Sequence, residues 1–503
     1  MPIQGAQIQY GPWYGGVDYS RPAETLPVNM LFAMQNCRIG NAGQIEKRNG
    51  FSKYIASALA GTPTLTACGD HRFSAASSSV FVVAGDTFYE DVSGTWTDRT
   101  GGQTITAADD NIFALANAAG TLCLSNGVDA PLKWTAAAGN IALLDVDSRF
   151  TWSKHLAYWD NRIWHGNTSA GTDRVYRSDS GDIETIGATS FHTVDQDIDG
   201  LAPFRNMLTI HQQDGIHGLF PTGNADVPYA QQRVADKGAC AHRSIVVLPD
   251  GTMVYVRGDG VYEWSPSTSA PAKISHPLDG TRYWDTLNKS RLQFAHAVDY
   301  EQRNEVWIWL PYGVSQTTNN HVMVWNYRYR IWYGPYTVAG ARNCSALIDN
   351  QPHAGGYSDG LLYKHDDGTN DNTAAIDAWF ETAAPFAISA VDQVRWFYAR
   401  TFFDPAGDQR VQVQQKAPGI PTRSDAFDLG GSFDAIETAF TIGVSAIAGE
   451  DLIRGETTDL YGYDPETQLR YTNSNADEPF TIRQVNLVHK PIGNIRKESP
   501  GVE

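Results

Sequence analysis

Cysteine is scarce in this 503-residue chain, and the five present (Cys37, Cys68, Cys123, Cys240, Cys344) are odd in number, far apart and free of any CxxC pair. That pattern excludes a disulfide framework and a structural zinc site, and it fits a reducing compartment. Charge is sparse as well: 19% of residues are charged against 42% apolar, a balance that lets a chain bury a core and argues against disorder. Basic residues are outnumbered, 38 to 56, so the formal net charge of -18 repels phosphate on average and argues against stable, non-specific nucleic-acid binding by the chain as a whole. No 18-residue apolar run and no N-terminal charged-then-apolar segment occur, so no membrane span and no signal peptide are expected, and folding in a cytosol is. The histidines form no HExxH, and there is no Walker lysine loop. No catalytic residue and no cofactor follow from the sequence, and an enzyme is not expected.

What the chain has is aromatic residues and turns. Its length gives two or three domains, or one large repeat body. From about residue 64 to 372, short β-type runs are separated by Gly, Asp and Asn turns, with almost no helical apolar spacing. In "VFVVAGDTFYED" (80 to 91) the strand reverses at Gly85-Asp86, where glycine tolerates the positive φ of a tight turn. Six similar units follow, with turns near 118, 160, 214, 258, 303 and 359, at irregular intervals of 33 to 56 residues centred where four-stranded blades repeat. A lone hairpin cannot bury its faces, whereas blades around an axis bury one another, so a β-propeller of six or seven blades is expected over 55–372. The segments "DAWFETAAPFAI", "VRWFYARTFFD", "QRVQVQQKA" and "FTIRQVNLVHK" alternate as sandwich strands do, which predicts a further β-sandwich-like domain over 373–503. "HDDGTNDNTAA" (365 to 375) reads as a connector rich in Asx turns. Residues 1–54 read as an extended arm, of which 1–35 order on docking to a neighbour, with one strand, "GQIEKRNGFSKY", that closes or braces the propeller.

Five stretches carry possible chemistry. "GYSDG", Gly356 to Gly360, fits the G-x-S-x-G nucleophile elbow, but that elbow needs a helix leaving it and "LLYKH" leaves as a strand, so it reads as a hairpin turn. In "DQDIDG", Asp195, Asp197 and Asp199 have the i, i+2, i+4 spacing of a hard-cation loop and are the candidate metal ligands. Position nine is Pro203 and position twelve is Asn206, where an EF-type loop needs a bidentate Glu, which favours a polar turn between blades. The RGD of Arg257 to Asp259 sits in a hairpin turn and is assigned no function. "HVMVWNYRYRIWYGPY" (321 to 336) interleaves aromatics with Arg328 and Arg330, as single-strand nucleic-acid platforms do, but alternation places Met323, Trp325, Tyr327, Tyr329 and Ile331 on one strand face for packing. "NCRIGNAGQIEKRNGF" (36 to 51) lacks the strand before and helix after that a phosphate loop needs. Lys47 and Arg48 are expected as solvent-side or inter-subunit residues of a strand, with Gly43 and Gly50 as its turns.

The same stretch, with "MPIQ" and "LPVNML", resembles the N-terminal arm of tail hub or nozzle proteins of short-tailed bacteriophages, also called packaged-DNA-stabilisation or tail-accessory proteins. "AYWDNRIWHG" with "RVYRSDSGDIETI", "DGLAPFRNMLTIHQQDGIHGLF", "KGACAHRSIVVLPDGTMVYVRGDGVYEW" and "NEVWIWLPYG" to "HVMVWNYRYRIW" are similar to that family's blades in the same order, covering residues 1 to about 375. The resemblance implies a virion-tail protein assembled in the host cytoplasm. It implies a homo-hexameric ring below the portal or head-to-tail adaptor that prolongs the DNA channel, helps retain packaged DNA and conducts it at ejection. Its partners would be fibre, spike, needle or plug proteins, and double-stranded DNA in transit without sequence-specific binding. It marks Leu26, Pro27, Val28, Asn29, Lys47, Arg48 and Gly50 as family-motif or interface candidates, makes Asp199-Gly200 a turn rather than a cation site, and leaves ring contacts to aromatics such as Trp13, Tyr14 or the 377 to 403 segment. The alternative function class is a propeller that binds or cleaves glycans at the host surface, because carboxylates facing each other across an axis leave no sequence signature.

Overall fold

The structure is a computed structural model and describes residues 6–144, 150–268, 270–388, 393–404, 410–416, 423–428, 454–463 and 465–493. It is all-β, and it divides into two compact units: Phe51–Arg328 with Val338–Asp366, and Met1–Gly50 with Tyr329–Thr337 and Asp367–Glu503.

The first unit is a seven-bladed propeller. Five four-stranded antiparallel sheets follow one another over 65–98, 114–143, 153–193, 200–235 and 246–273, and a seven-stranded sheet holds the last two blades, which share the long strand Ile331–Ile348. Each of the seven expected turns falls on a hairpin in its own blade. Ala84 pairs with Thr87 around Gly85 at φ +59, and Trp159 pairs with Arg162 around Asp160 and Asn161, both at positive φ as a two-residue hairpin of this hand requires. The intervals are irregular because some turns join a blade's first two strands, as at 118 and 160, and others its second and third, as at 85, 214 and 258.

Blades bury one another, as hairpins with two apolar faces must. Phe81 and Phe88 of the first blade close on Trp134 of the second, and equivalent clusters lie at the next three seams. The ring closes where Leu65, Cys68 and Val82 of the first blade pack on Cys344, Ile348 and Leu362 of the last. The outermost strand of that last blade is Phe51–Lys53, paired antiparallel with Leu362–His365, so the stretch expected to brace the propeller completes it. Arg342 lies over the rings of Tyr363 and Phe51, 3.9 and 4.9 Å from their centroids, which ties the closing strand to the blade it completes.

All five cysteines are free, but the Cys344 Sγ lies 3.7 Å from the Cys68 Sγ across the closing seam. Diamide oxidation is therefore expected to join Cys68 to Cys344, read as the loss of two titratable thiols under denaturing conditions and one cross-linked peptide pair by mass spectrometry. Five thiols surviving the treatment would show that the seam cannot bring the sulfurs together.

The second unit is built from two six-stranded sheets. One runs Arg454–Asp459, Gln393–Phe403, Thr481–Gly493, Ile45–Lys47, Cys37–Ile39, with Ala6–Tyr10 also on Thr481–Gly493. The other runs Gly16–Val17, Met30–Gln35, Ala378–Thr382, Gln468–Asn473, Arg410–Lys416, Arg423–Asp428. A buried hydrogen bond between Thr401 Oγ1 and Tyr471 OH, 2.7 Å, joins the two sheets through their core. All four C-terminal runs expected as strands are strands. The N-terminal segment is not the extended arm expected over 1–54: its described residues contribute five strands here, and three of these pair with strands far downstream. Met30–Gln35, for instance, pairs with Ala378–Thr382. A local reading cannot see such pairing, and so placed the boundaries at 54/55 and 372/373.

Candidate functional site

Lys47 and Arg48 are buried, contrary to the solvent-side or inter-subunit position expected for them. Cys37–Ile39 and Ile45–Lys47 form a short hairpin whose turn carries Gly43 at φ +74, and Arg38 pairs with Glu46 across it at 2.7 Å. Lys47 Nζ donates to Asn473 Oδ1 at 2.7 Å and to the Asn475 carbonyl at 2.9 Å, and burial pushes its pKa down to about 8. Arg48 uses its whole guanidinium. Nε donates to Asn36 Oδ1, Nη1 to the Asn49 carbonyl and Asp371 Oδ1, and Nη2 to the Thr337 carbonyl and Asp371 Oδ2, at 2.7 to 3.0 Å. The partner carboxylate comes from the stretch read as a polar connector. The Gly50 requirement is steric rather than a turn: a Cβ there would lie 1.8 Å from the Asn370 carbonyl oxygen.

The other motif candidates scatter. Leu26 is buried, Val28 half-buried, and only Pro27 and Asn29 expose their side chains. Trp13 is fully buried while Tyr14 is exposed, so of that pair only Tyr14 is available to another molecule. "MPIQ" lies outside the described residues. The three aspartates take separate partners: Asp195 faces His217 Nε2 at 3.3 Å, Asp197 accepts from Thr172 Oγ1 at 2.5 Å, and Asp199 is held by its backbone N–H on the His211 carbonyl. Among the described residues no group of three or more His, Cys, Asp or Glu is arranged to hold a metal ion. Ser358 of "GYSDG" and Gly258-Asp259 of "RGD" lie in hairpin turns. Met323 and Trp325 share the strand Asn319–Asn326, but the chain turns at 327–330, with Arg330 at φ +56, so Tyr327 and Tyr329 are not on that strand.

The concave site of the propeller is its axis, which the sequence did not single out. Inner strands line it, but the fifth blade's is only Val246–Val247, and the turn His242–Ser244 stands in the space a full strand fills elsewhere. Nδ1 of His242 accepts from the Leu201 N–H of the fourth blade at 3.2 Å. Nη2 of Arg243 donates to the Asn343 carbonyl of the seventh blade at 2.8 Å, and Asn343 Nδ2 donates to the Asp109 and Leu65 carbonyls. His242 and Arg243 line both of two axial cavities. Both have mixed linings: one, about 320 Å³, has Asn126, Lys154, Asp199 and Gln293 beside Trp152 and Phe294; the other, about 430 Å³, has Phe113, Leu115, Leu156 and Leu201 beside Asn117 and Ser345. Burial holds His242 neutral, with its pKa pushed down to about 4, and raises Asp199 to about 6. The readable signal was the failure of strand alternation in "GACAHRS", just where the other blades begin their inner strand.

No protein-family model and no curated protein matches this chain. Among solved structures it is similar to a chain of the "Crystal Structure of Mitotic Checkpoint Complex" at 11% identity and a TM-score of 0.41, over 62% of this chain and 94% of that one. It is similar to "YCF48 bound to D1 peptide" at 13% identity and a TM-score of 0.39, over 61% and 95%. It is also similar to the extracellular domain of BT4673 from B. thetaiotaomicron at 11% identity and a TM-score of 0.44, over 75% and 57%. Likenesses this distant carry no functional argument, and the propeller rests on the chain's own sheets.

Proposed function

We propose that this chain is a structural component of the tail of a short-tailed bacteriophage, a hub or nozzle subunit whose copies form a ring below the portal or adaptor. The ring extends the DNA channel, helps retain the packaged genome, conducts it at ejection, and anchors fibre, spike or plug proteins. The observation that carries this reading is the order of the resembling segments, of which those in the propeller fall on successive blades. "NCRIGNAGQIEKRNGF" runs through the buried Lys47-Arg48 hairpin into the strand that completes the propeller, and the later segments fall on the third, fourth, fifth and sixth blades in turn.

Two physical points support it. The propeller axis of a single copy is crossed by His242 and Arg243, so a duplex would pass between copies rather than through one. A wall drawn from a chain of formal charge -18 repels phosphate, so DNA slides without gathering salt-sensitive contacts. Electrophoretic mobility of double-stranded DNA with the purified protein at physiological salt is expected to show no complex. A tight, salt-sensitive complex would refute the sliding channel, and hydrolysis of host polysaccharide by the isolated chain would favour a glycan-cleaving propeller.

A further inference from the structure

Among the described residues Arg243 has no carboxylate partner. Its single hydrogen bond among the described residues runs to the neutral Asn343 carbonyl, although the guanidinium is deep enough that burial depresses its pKa to about 10. Arg243 is only half-buried, so its remaining donors open onto the cavity, where they face water or a bound anion. Among the described residues the larger of the two cavities has no Asp, Glu or Lys on its lining, the His242 imidazole is neutral, and the thiols of Cys68 and Cys344 complete that side. With Nδ1 of His242 accepting from Leu201, its proton sits on Nε2, which adds a neutral donor beside the guanidinium. On the opposite face, Lys154, Asp199 and Asp110 border the smaller cavity, and Asp110 is already engaged by Arg291 at 2.9 Å.

We propose that the larger of these two axial cavities binds a small organic monocarboxylate with an aliphatic or aromatic body. The carboxylate sits on Arg243, whose planar fork matches two carboxylate oxygens, and the body packs against Phe113, Leu115, Leu156 and Leu201. The volume of about 430 Å³ lies in the range of roughly 300–1,000 Å³ typical of small-molecule sites, and its lining offers apolar side chains for a body and polar ones for a head. The fold accommodates this arrangement at the expense of the fifth blade's inner strand, which is shortened to Val246–Val247 while the preceding turn carries His242 and Arg243 to the axis. The site belongs to the single chain and does not depend on the tail reading.

The test is calorimetric titration of the full chain with acetate, hexanoate and benzoate up to about 10 mM, with hexanamide and benzamide as uncharged controls. Hexanoate or benzoate is expected to bind saturably at one per chain, more tightly than acetate and at least about tenfold more tightly than its amide. Arg243→Gln should weaken binding by about tenfold or more. Val247 is 42% exposed and lines the same cavity, so Val247→Trp should obstruct binding in a chain that still folds, and it carries the test if Arg243→Gln does not fold. Absence of saturable binding by all three carboxylates, equal binding of the amides, or undiminished binding to Val247→Trp would overturn the proposal.

Discussion

Arg48→Met is expected to lower the unfolding free energy by about 3–5 kcal/mol, because it leaves the Asp371 carboxylate buried without its cation. The side chains of Arg48 and Asp371 are only 4% and 8% exposed, and solvent cannot take over the lost contacts. Asp371 is not the only group affected: the Asn49 and Thr337 carbonyls lose the Arg48 donor as well, and Asn36 Oδ1 keeps only the Thr337 N–H. Adding Asp371→Leu should therefore recover only part of the loss, whereas an isolated buried pair replaced by apolar groups is often neutral. Urea unfolding followed by fluorescence measures both. A loss under about 1 kcal/mol for Arg48→Met would mean that the pair behaves as a surface ion pair and that the hairpin is not held from within.

The propeller is expected to lose stability steeply below pH 6.5. Burial depresses the pKa values of His155, His165, His211, His242 and His296, to about 3 for His165 and His211 and about 4 for His242. A histidine whose folded pKa is lowered contributes stability that is present above its unfolded pKa near 6.5 and lost as pH falls below it, since only the unfolded chain takes up the proton. Asp199 and Asp299 act in the opposite sense: burial raises both to about 6, so their stabilising contribution is full below about pH 3.8 and lost as pH rises through 6. His71, His192, His217 and His321 are lowered by burial as well and Asp70 is raised, so the imidazoles outnumber the carboxyls and unfolding takes up several protons near pH 5.5, each worth about 1.4 kcal/mol per pH unit. Denaturant unfolding at pH 7.5, 6.5 and 5.5 should show a small change over the first interval and a large one over the second. A flat profile would show that the buried histidines are hydrated in the folded state.

The propeller was legible because its signals are local. Two residues at positive φ between paired strands, as at Asp160-Asn161, or a glycine at the reversal, as at Gly85, mark a hairpin within a dozen residues of sequence. The C-terminal strands were legible for the same reason, from alternation alone. Pairings between distant segments were not: neither Met30–Gln35 nor Ile45–Lys47 signals that its partner lies beyond residue 377, and so the N-terminal residues read as an arm. The turn at 327–330 was missed because Arg330 takes a positive φ that glycine or asparagine usually supplies, leaving the aromatic alternation apparently unbroken across it. Lys47 and Arg48 were placed outward by the ordinary preference of charge for water. That preference yields when each donor meets an acceptor, and the acceptors, Asn473 and Asp371, are invisible from the motif. At the axis, His242 and Arg243 gave no positive pattern, only a gap where an inner strand should begin.

The central claim is that copies of this chain close into a ring around a DNA path. Negative-stain class averages of the purified full chain, alone and after mixing with a tail lysate, test it most directly. A closed ring with sixfold symmetry, present in the purified protein or formed on mixing, is the predicted result; single chains in both preparations would contradict it.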